Sequence, residues 1–467
     1  MIQKVQFKKI TAVFVLVAIC LSLVSCASAP SVSTETVSHP LETENYPIPA
    51  EREPVPLDGK KLTIGIWCGT HHDFFFATMM LLKEAGIDQI IGPDDLWTGE
   101  DGMLEMLDRA EQFGISVIPN LRGWDLKEVP AYADHPALQG FLMWDEPSAT
   151  DFDWLADAKE KFRSMMPEDK VFYVNLFPQP CSYESLYGEN YDSNAVNYET
   201  NYVDVFLRKV QPEQLSVDYY PLMEGNLIRP SYYQNLETLA YRAKDNDIPL
   251  EVTVQNSGHD TTDGRYVSPS VQQLRWQMAV AMTYGASTLD HYIFTSHEET
   301  YAPMVDFNTL KPTELFENAK TVDLELRAWE DVYCSYRWIG SGKVDTAESN
   351  MMLLRLTKSL PQDQWGLLSN IESDGDVIFG IFENAYGENA YMITNAGSTT
   401  EIPGKDYLAN FEINDANVCL QFNVENCHYL KVISGGESEY VKQSADGTFQ
   451  FTIPAYDGVF VIPLIEN

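Results

Sequence analysis

Short apolar runs alternate with helical stretches through the middle of the chain. The runs are rich in β-branched and aromatic residues, and each is followed by a stretch of helical periodicity or by a polar loop, which predicts strands alternating with helices. Eight such runs lie at 62–68, 89–92, 115–122, 140–146, 171–177, 215–220, 250–256 and 288–294. Several helical stretches end directly before a glycine, the expected C-terminal stop, as at Gly86, Gly114 and Gly285.

Eight strand and helix units over this length predict a (β/α)8 barrel, in which parallel strands close into a ring surrounded by helices. A helical stretch at 313–333 supplies the eighth helix. The alternative is a doubly wound open sheet, but no Gly-x-Gly-x-x-Gly turn follows the first strand to hold a dinucleotide. We therefore predict an α/β barrel and no cofactor.

Beyond about residue 339 the helical periodicity gives way to alternation. Short runs with Gly, Asn and Asp at the turns lie at 350–356, 377–383, 390–394, 418–422, 429–433, 449–453 and 459–464. This pattern predicts an all-β domain, most simply a β-sandwich. We expect the barrel at 58–338 and the sandwich at 339–467.

The N-terminal residues form a targeting signal. Three lysines precede an apolar run at 10–24, which is too short to span a bilayer comfortably. The run ends in Leu23-Val24-Ser25-Cys26, which resembles the lipobox of bacterial lipoproteins. The resemblance implies a signal peptide at 1–25, acylation of Cys26, and a membrane-anchored protein outside the cytoplasm, at the cell surface or in the periplasm. An ordinary secretory signal, or an anchor that stays attached, is the alternative.

Residues 26–57 are predicted to be a disordered tether. They are rich in Ser, Thr, Glu and Pro and contain almost no aliphatic run, so they cannot form a core.

The five cysteines that follow Cys26 are odd in number and scattered. They predict neither a disulfide framework nor a zinc site with histidine, although a bridge between Cys419 and Cys427 is an alternative to two reduced cysteines.

The chain is strongly acidic, with 31 Lys and Arg against 69 Asp and Glu and a net charge of −38. It has no basic stripe to neutralise phosphates, which disfavours a nucleic-acid partner, and its field repels polyanions such as uronic-acid polymers unless a local patch overrides it. Of the 467 residues, 45% are hydrophobic and 12% aromatic, enough to fill a large core, which excludes global disorder.

Chemistry in a (β/α)8 barrel belongs at the carboxyl ends of the strands. Outward apolar residues alternate with inward ones along each strand, which predicts the side chains that point into the barrel. These are Trp67, Asn120, Arg122, Trp144, Glu146, Asn175, Phe177, Ser216, Asp218, Tyr220, Glu251, Thr253, Gln255, Tyr292 and Phe294. Aromatic walls with amides and acids between them suit a sugar, whose C–H faces stack on rings while its hydroxyls bind polar groups.

The tetrapeptide Trp144-Asp145-Glu146-Pro147 ends the fourth strand. It resembles the Asn-Glu-Pro motif of clan A glycoside hydrolases, whose Glu is the general acid/base at that strand end. The resemblance implies that Glu146 is the general acid and that Asp145, standing where the family has Asn, binds substrate. The alternative for Glu146 is a structural ion pair at the rim.

The closing segment 453–459 looks like the last strand of the C-terminal sandwiches of many barrel glycosidases. Such sandwiches pack against the barrel, and independent carbohydrate binding is the alternative.

The sequence departs from the clan at the seventh strand, where the clan's second Glu is replaced by Gln255 and Asn256. A glycosidase needs two carboxylates, so the partner of Glu146 must come from elsewhere. Our first choice is Asp218, which is inward, at a strand end and two strands from Glu146; a buried structural Asp is the alternative role. Further candidates are Asp145, Asp260 and Asp290. Either a retaining or an inverting mechanism is compatible with this spacing.

Residues in the loops around the barrel mouth are further candidates for substrate binding. His71, His72 and Asp73 follow the first strand, where we expect His71 to contact substrate and the group not to hold a metal. His259 and His297 lie in the loops after the seventh and eighth strands and are candidate hydroxyl binders. An insertion at 179–201, rich in Tyr, Asn, Glu and Ser, predicts a substrate wall or a merely decorative loop.

Together these patterns predict a membrane-tethered glycoside hydrolase that acts on an oligo- or polysaccharide. Its expected catalytic residues are Glu146 and Asp218. Substrate binding is expected from Trp67, His71, Asn120, Arg122, Trp144, Asp145, Asn175, Tyr220, Gln255, His259 and Tyr292. The alternatives are a non-catalytic carbohydrate-binding lipoprotein that lost the nucleophile, which Gln255 favours, and a structural surface protein.

Overall fold

The computed structural model describes residues 46–69, 74–92, 99–121, 131–192, 196–261, 264–346, 352–355, 357–402 and 407–466. The chain divides into two units, Met1–Glu44 and Asn45–Asn467. The first unit, with the predicted signal peptide and Cys26, lies outside the described residues. Among the helices that are described, none combines the length and the apolarity needed to cross a bilayer.

Eight parallel strands form the central sheet. They are Thr63–Trp67, Gln89–Ile91, Ser116–Ile118, Gly140–Asp145, Val171–Leu176, Leu215–Asp218, Leu250–Gln255 and Thr288–Tyr292, here called the first to eighth barrel strands. Their spatial order is third, second, first, eighth, seventh, sixth, fifth, fourth. Parallel bridges from Val117 to Leu138 and from Asn120 to Leu142 join the third strand to the fourth. The ring therefore closes, which confirms the predicted (β/α)8 barrel over the doubly wound sheet.

Helices follow the strands around the barrel. The longer ones are Phe75–Ala85, Gly99–Phe113, Phe152–Arg163, Asp204–Val210, Tyr232–Asp245, Val271–Thr283 and Glu314–Arg327. Short helices lie at Tyr183–Tyr187, Tyr198–Val203, Glu330–Cys334 and Met352–Arg355, and single turns lie at Leu57–Gly59, Ala149–Asp151 and Gln362–Gln364. Local sequence sets the ends of these helices: Gly86 closes the first in the left-handed conformation (φ 77°), and Ser270 begins Val271–Thr283 with a capping box to Gln273.

Alternation along the strands separates two apolar layers. Leu215, Val217, Val252 and Val254 lie in the layer between strands and helices, as predicted. A smaller cluster fills the barrel interior and contains Trp67, Ile91, Ile118, Leu142, Val171 and Tyr173. The barrel is therefore a packed core below an open mouth.

The C-terminal part is an all-β sandwich, as predicted. One antiparallel sheet contains Tyr336–Val344, Val377–Asn384, Asn389–Asn395, Gly458–Ile465, Cys427–Ser434 and Glu437–Lys442, in that spatial order. The other contains Leu368–Ser373, Ala416–Phe422 and Phe449–Ile453. A separate apolar cluster, including Phe379, Tyr391, Leu420 and Phe449, lies between the two sheets. Among the described residues no disulfide bond is formed, Cys419 and Cys427 included.

A third sheet joins the sandwich side of the molecule to the barrel loops. It contains Leu222–Met223, Leu227–Ile228, His259–Thr261 and Gly264–Tyr266 from the loops after the sixth and seventh strands, with Ser398–Glu401 and Leu408–Glu412. Leu408 pairs with Ile228 across this junction. The Trp276 indole, on a buried barrel helix, also donates to the Asn395 carbonyl oxygen (3.0 Å). These contacts hold the loops of the mouth against the sandwich.

Part of the predicted tether lies on the sandwich. The Tyr46 ring stacks on His428 with ring centroids 3.6 Å apart, and the Tyr429 hydroxyl donates to the Tyr46 carbonyl oxygen (2.9 Å). Glu51 forms an ion pair with Lys431 (2.6 Å). Residues 46–51 are therefore bound to the folded domain and are not a free linker, because aromatic and charged side chains interrupt the otherwise small and polar composition.

Candidate active site

The Asn175 side chain joins two carboxylates at the mouth of the barrel. Its Nδ2 donates to Asp145 Oδ1 (3.1 Å) and to Asp218 Oδ1 (2.8 Å), and its Oδ1 accepts from the Ser216 hydroxyl (3.1 Å). Asn175 is only 2% exposed, so the amide is held in place by these contacts. The fourth and fifth strands thus contribute one residue each, and the sixth strand contributes two, to a single hydrogen-bonded group.

Glu146 lies directly after the fourth strand, next to this group. Its backbone N–H donates to the Asn175 carbonyl oxygen (2.9 Å), and its φ of 55° places it in the left-handed region, which is uncommon for residues other than glycine. Such a conformation costs about 1 kcal/mol or more and persists where neighbouring contacts impose it. Here the Tyr202 hydroxyl donates to the Pro147 carbonyl oxygen (2.6 Å) and so fixes the turn that aims Glu146.

The acidities of the two proposed catalytic carboxyls differ. Burial and the negative charges of Asp218 and Asp145 raise the pKa of Glu146 to about 9. Burial and the charge of Asp145 raise the pKa of Asp218 to about 7, against hydrogen bonds from Asn175 and Tyr220 that lower it. Asp218 therefore ionises first and Glu146 retains its proton at neutral pH, an arrangement that separates an acid from a base. We call Asp145, Glu146 and Asp218 the mouth carboxyls.

Two further carboxyls are sealed inside the barrel, and we call Glu251 and Asp290 the buried carboxyls. Glu251 accepts from Ser216 (3.1 Å), from Gln214 (2.8 Å) and from the Tyr173 hydroxyl. Asp290 is wholly buried one inward position below Tyr292, and burial and the Glu251 charge raise its pKa well above the usual range.

The buried position removes Asp290 from the set of candidates for the second catalytic carboxylate. Gly65 faces it, and a Cβ there would lie 1.9 Å from Asp290 Oδ1, so no substrate atom reaches that level. Asp260 is also removed, because it is exposed on a hairpin and paired with Arg265 (2.6 Å). Asp218 and Asp145 remain.

Trp144 does not face the barrel interior, contrary to the prediction. A β-bulge between Leu142 and Trp144 shifts the alternation, so that Trp144 pairs with Val174 and Asp145 pairs with the inward Asn175. The Trp144 ring packs against the layer between strands and helices, and its centroid lies 5.3 Å from that of Trp154 on the following helix. Asp145, not Trp144, therefore occupies the inward position at this strand end. Phe294, also predicted at the mouth, is fully buried in the same outer layer.

An aromatic wall stands beside the mouth carboxyls. Tyr220 stacks on Tyr292 with ring centroids 5.3 Å apart, and His259 stacks on Tyr301 at 4.8 Å. Tyr266 closes the cluster, 4.9 Å from His259. Burial lowers the pKa of His259, so its imidazole is neutral at pH 7. The sequence did not predict Tyr266 and Tyr301, because both lie in loops beyond the strand ends, where alternation along a strand no longer indicates which side chains face the mouth.

The remaining predicted binding residues lie at different depths. Trp67 is 5% exposed and its indole N–H donates to Thr253 Oγ1 (3.0 Å), below the mouth. Asn120 is half-buried where the third strand meets the fourth. The Gln255 amide bonds the backbone of Leu222 and Val267 through three hydrogen bonds of 2.7–2.9 Å, so it supports the loops instead of facing a ligand. His71 and Arg122, with His72 and Asp73, lie outside the described residues.

One group in the described part of the chain has the spacing of a metal site. Ligand atoms of Asp108, Glu111 and His135 lie within 4.8 Å of one another, near the amino end of the fourth strand and away from the mouth. However, His135 Nδ1 accepts from the Ala137 N–H (3.2 Å), so its Nε2 carries the proton and donates to Asp108 (3.2 Å). This tautomer offers no nitrogen lone pair to a metal.

Comparison with known proteins gives similarity of fold. No family model matches the sequence, and no curated protein matches it. Among solved structures, the chain is similar to a putative α-galactosidase from Bacteroides fragilis, with 9% identity over 87% of this chain and 80% of that one and a TM-score of 0.47. It is also similar to Gan42B, a GH42 β-galactosidase from G. stearothermophilus, with 9% identity over 88% and 99% of the two chains and a TM-score of 0.46.

Another similar structure is a β-galactosidase from Marinomonas ef1, with 12% identity over 57% of this chain and a TM-score of 0.38. The match covers 60% of that enzyme's length. A 3-deoxy-D-arabino-heptulosonate 7-phosphate synthase from Thermotoga maritima is similar as well, at a TM-score of 0.33. Identities and scores this low do not identify the chemistry, which has to be argued from the site.

Proposed function

We propose that the protein is a glycoside hydrolase in which Glu146 is the general acid/base and Asp218 is the second carboxylate. The observation that carries the proposal is a pair of carboxyls of unequal acidity at the barrel mouth, Glu146 and Asp218. Asn175 holds Asp218 and Asp145 by hydrogen bonds, the charges of both act on Glu146, and an aromatic wall flanks the site. Glycosidases of both stereochemical classes need such a pair. The wall offers ring faces to a sugar, and the acids and amides offer acceptors and donors to its hydroxyls.

The charges of the site assign the roles. Glu146 holds its proton at neutral pH and can give it to the leaving glycosidic oxygen. Asp218 ionises at lower pH and faces the sugar or its attacking water as the anion. Asp145 contributes the negative charge that raises both pKa values, and Asn175 fixes the carboxylates against each other. No step requires a cofactor.

The alternative function is carbohydrate binding without hydrolysis. It is favoured by Gln255, which stands at the strand end where clan A enzymes have their nucleophile and whose amide is bound to backbone atoms. Asp218 is what distinguishes the two functions, because hydrolysis needs a second carboxylate at the mouth and sugar binding alone does not.

The test is Glu146→Gln, assayed with aryl glycosides and with neutral oligosaccharides of glucose, galactose, mannose and xylose. Loss of general acid–base help costs about 10²–10⁴ in rate, and a dinitrophenyl leaving group should restore the first step because it needs no proton. Glu298→Gln, an exposed carboxyl in the loop after the eighth strand, is the control. Equal hydrolysis by Glu146→Gln and wild type, or oligosaccharide binding by a wild type that hydrolyses no substrate, would refute the proposal.

We also propose that Cys26 is acylated and tethers the enzyme to a membrane outside the cytoplasm. The support is the sequence Leu23-Val24-Ser25-Cys26 at the end of an apolar run. Cys26→Ala should abolish labelling with a fatty-acid analogue and release the protein from the membrane fraction. A wild-type protein that is recovered without lipid, with an N-terminus other than Cys26, would contradict this assignment.

A further inference from the structure

Large aromatic side chains are exposed on the loops that follow the fourth and fifth barrel strands. Trp154 is 52% exposed, Tyr183 45% and Tyr191 37%. Trp154 lies in the first turn of helix Phe152–Arg163, and the two tyrosines lie in the insertion after the fifth strand. Because these segments directly follow strand ends, they belong to the mouth side of the barrel.

Each exposed ring packs on a less exposed one, half-buried Trp144 or buried Tyr187, so the rings form two groups. Trp154 lies against Trp144 with ring centroids 5.3 Å apart. Tyr183 lies 5.8 Å from Tyr191 and 6.0 Å from Tyr187. We call these five residues, Trp144, Trp154, Tyr183, Tyr187 and Tyr191, the aromatic ledge.

The insertion that carries the three tyrosines touches the segment that joins Glu146 to the helix of Trp154. Gly188, between Tyr187 and Tyr191, has a φ of 78°, and a Cβ there would lie 3.1 Å from Thr150 Cγ2, so the insertion touches the turn Ala149–Asp151. That turn continues the segment that carries Glu146. Tyr202, near the end of the insertion, donates to the Pro147 carbonyl oxygen. The ledge is therefore continuous with the catalytic turn.

The chemistry of the ledge selects a neutral and hydroxylated ligand. Exposed rings stack on the C–H faces of sugars, whereas the exposed carboxylates of Glu184 and Glu189 repel anions and accept hydrogen bonds from hydroxyls. Elsewhere among the described residues, the exposed Phe76 packs on Phe113 with ring centroids 5.3 Å apart, and the two exposed tyrosines of the sandwich have polar partners. The Arg52 guanidinium lies 4.6 Å from the Tyr386 ring centroid, and the Tyr440 hydroxyl donates to Glu51.

We propose that the aromatic ledge binds additional sugar units of a neutral oligosaccharide whose scissile bond lies at Glu146. The inference rests on the proposed function and narrows its substrate class to a chain of several units. A substrate of one sugar and a small leaving group would leave the ledge empty.

The test measures affinity as a function of chain length. Calorimetry on the full chain, with neutral gluco-, galacto-, manno- and xylo-oligosaccharides of one to about six units, should show tighter binding of longer chains in one series. Trp154→Ala should weaken binding of the long chains by about 3- to 12-fold, the equivalent of one ring contact, and leave monosaccharide affinity within about twofold. Trp154→Phe should retain most of the affinity. Tyr386→Ala, which removes a ring remote from the ledge, is the matched control.

Several outcomes would refute the proposal that the aromatic ledge binds sugar units. These are wild-type affinity that does not rise with chain length, no binding of any series at millimolar concentration, and equal losses for short and long chains in Trp154→Ala. A dimer that Trp154→Ala abolishes would identify the occupant as a second copy of the chain and likewise refute a sugar site. Binding can be measured without turnover. If the protein is inactive but binds longer chains more tightly, the proposal that the ledge binds sugar units stands, and only the proposed hydrolysis is refuted.

Discussion

The mouth carboxyls and the buried carboxyls lie one above the other in the same barrel. Both sets include groups whose pKa is raised chiefly by burial, namely Glu146 and Asp218 at the mouth and Asp290 in the buried set. They differ in access. Asp145 is exposed and Glu146 is half-buried, whereas Glu251 and Asp290 are enclosed by the strands. A raised pKa therefore does not by itself distinguish a catalytic carboxyl from a structural one.

The contacts of the two sets also differ. Glu251 is surrounded by donors from Tyr173, Ser216 and Gln214, so its hydrogen-bonding capacity is used inside the protein. At the open end of the barrel, the Asn175 amide donates to Asp145 and to Asp218, and a hydrogen bond from Tyr220 lowers the pKa of Asp218. The comparison predicts that substitutions in the mouth change turnover and that substitutions in the buried set change stability.

The largest expected effect is that of Asp218→Asn on turnover. A carboxylate that acts on the sugar or its water is replaced by a neutral amide, so kcat should fall about 10²–10⁴-fold while affinity for the sugar changes little. Wild-type activity should be bell-shaped in pH, rising with ionisation of Asp218 near pH 7 and falling with ionisation of Glu146 near pH 9. The acidic limb should disappear in the variant.

Asp260→Asn serves as the control for Asp218→Asn, because it removes an exposed carboxyl on the neighbouring loop that is paired with Arg265. It should keep both limbs of the pH profile. An unchanged acidic limb in Asp218→Asn would assign that limb to another group and leave Asp145 as the candidate second carboxylate.

Asp290→Asn should affect stability and not turnover. Because the pKa of Asp290 is raised in the folded state, the folded carboxyl stays protonated while the unfolded one ionises above about pH 4. Wild type should therefore lose up to about 1.4 kcal/mol of unfolding free energy per pH unit above pH 4 from this group, until the folded group ionises as well. Asn cannot ionise, so the variant does not lose this free energy as the pH rises. Urea unfolding at pH 4 to 8 should show that the free energy of unfolding of the variant rises relative to that of wild type as the pH rises. If the two free energies keep a constant difference over this range, the pKa of Asp290 is not raised in the folded state.

Most of the fold was predictable because it depends on periodicity that one sequence displays. The apolar run at 250–256 became the strand Leu250–Gln255, and the alternating runs after residue 339 became a sandwich. The sheet that joins sandwich and barrel was not predictable. Its strands Leu222–Met223 and Leu227–Ile228 have two residues each, too few for alternation to appear, and their pairing with Leu408 depends on tertiary packing.

The site was predictable where strict alternation held. Asp218 and Tyr220 point inward as their positions in the sixth strand indicate, whereas the bulge before Trp144 exchanged the roles of Trp144 and Asp145. A bulge adds one residue without an obvious sequence signal, so alternation beyond it is reversed. Asn175 was predicted to contact substrate, but its role as the group that links two carboxylates became visible only from side-chain geometry.

The smallest expected effect concerns Ser216, the residue that connects the two sets. Its hydroxyl donates toward Asn175 Oδ1 and toward Glu251 Oε1, both at 3.1 Å. In Ser216→Ala the buried Asn175 oxygen loses this donor, which should cost about 1 kcal/mol in unfolding free energy and loosen the amide that lowers the pKa of Asp218. The acidic limb of the pH profile should move to higher pH by less than about one unit. Gln214→Ala removes a donor of the other Glu251 oxygen (2.8 Å) and leaves the bonds of Ser216 and Asn175 in place, so it should lower stability and leave the limb unchanged. A shift of the limb in both variants would show that the two sets titrate together, and a shift in neither would show that Asn175 is held without Ser216.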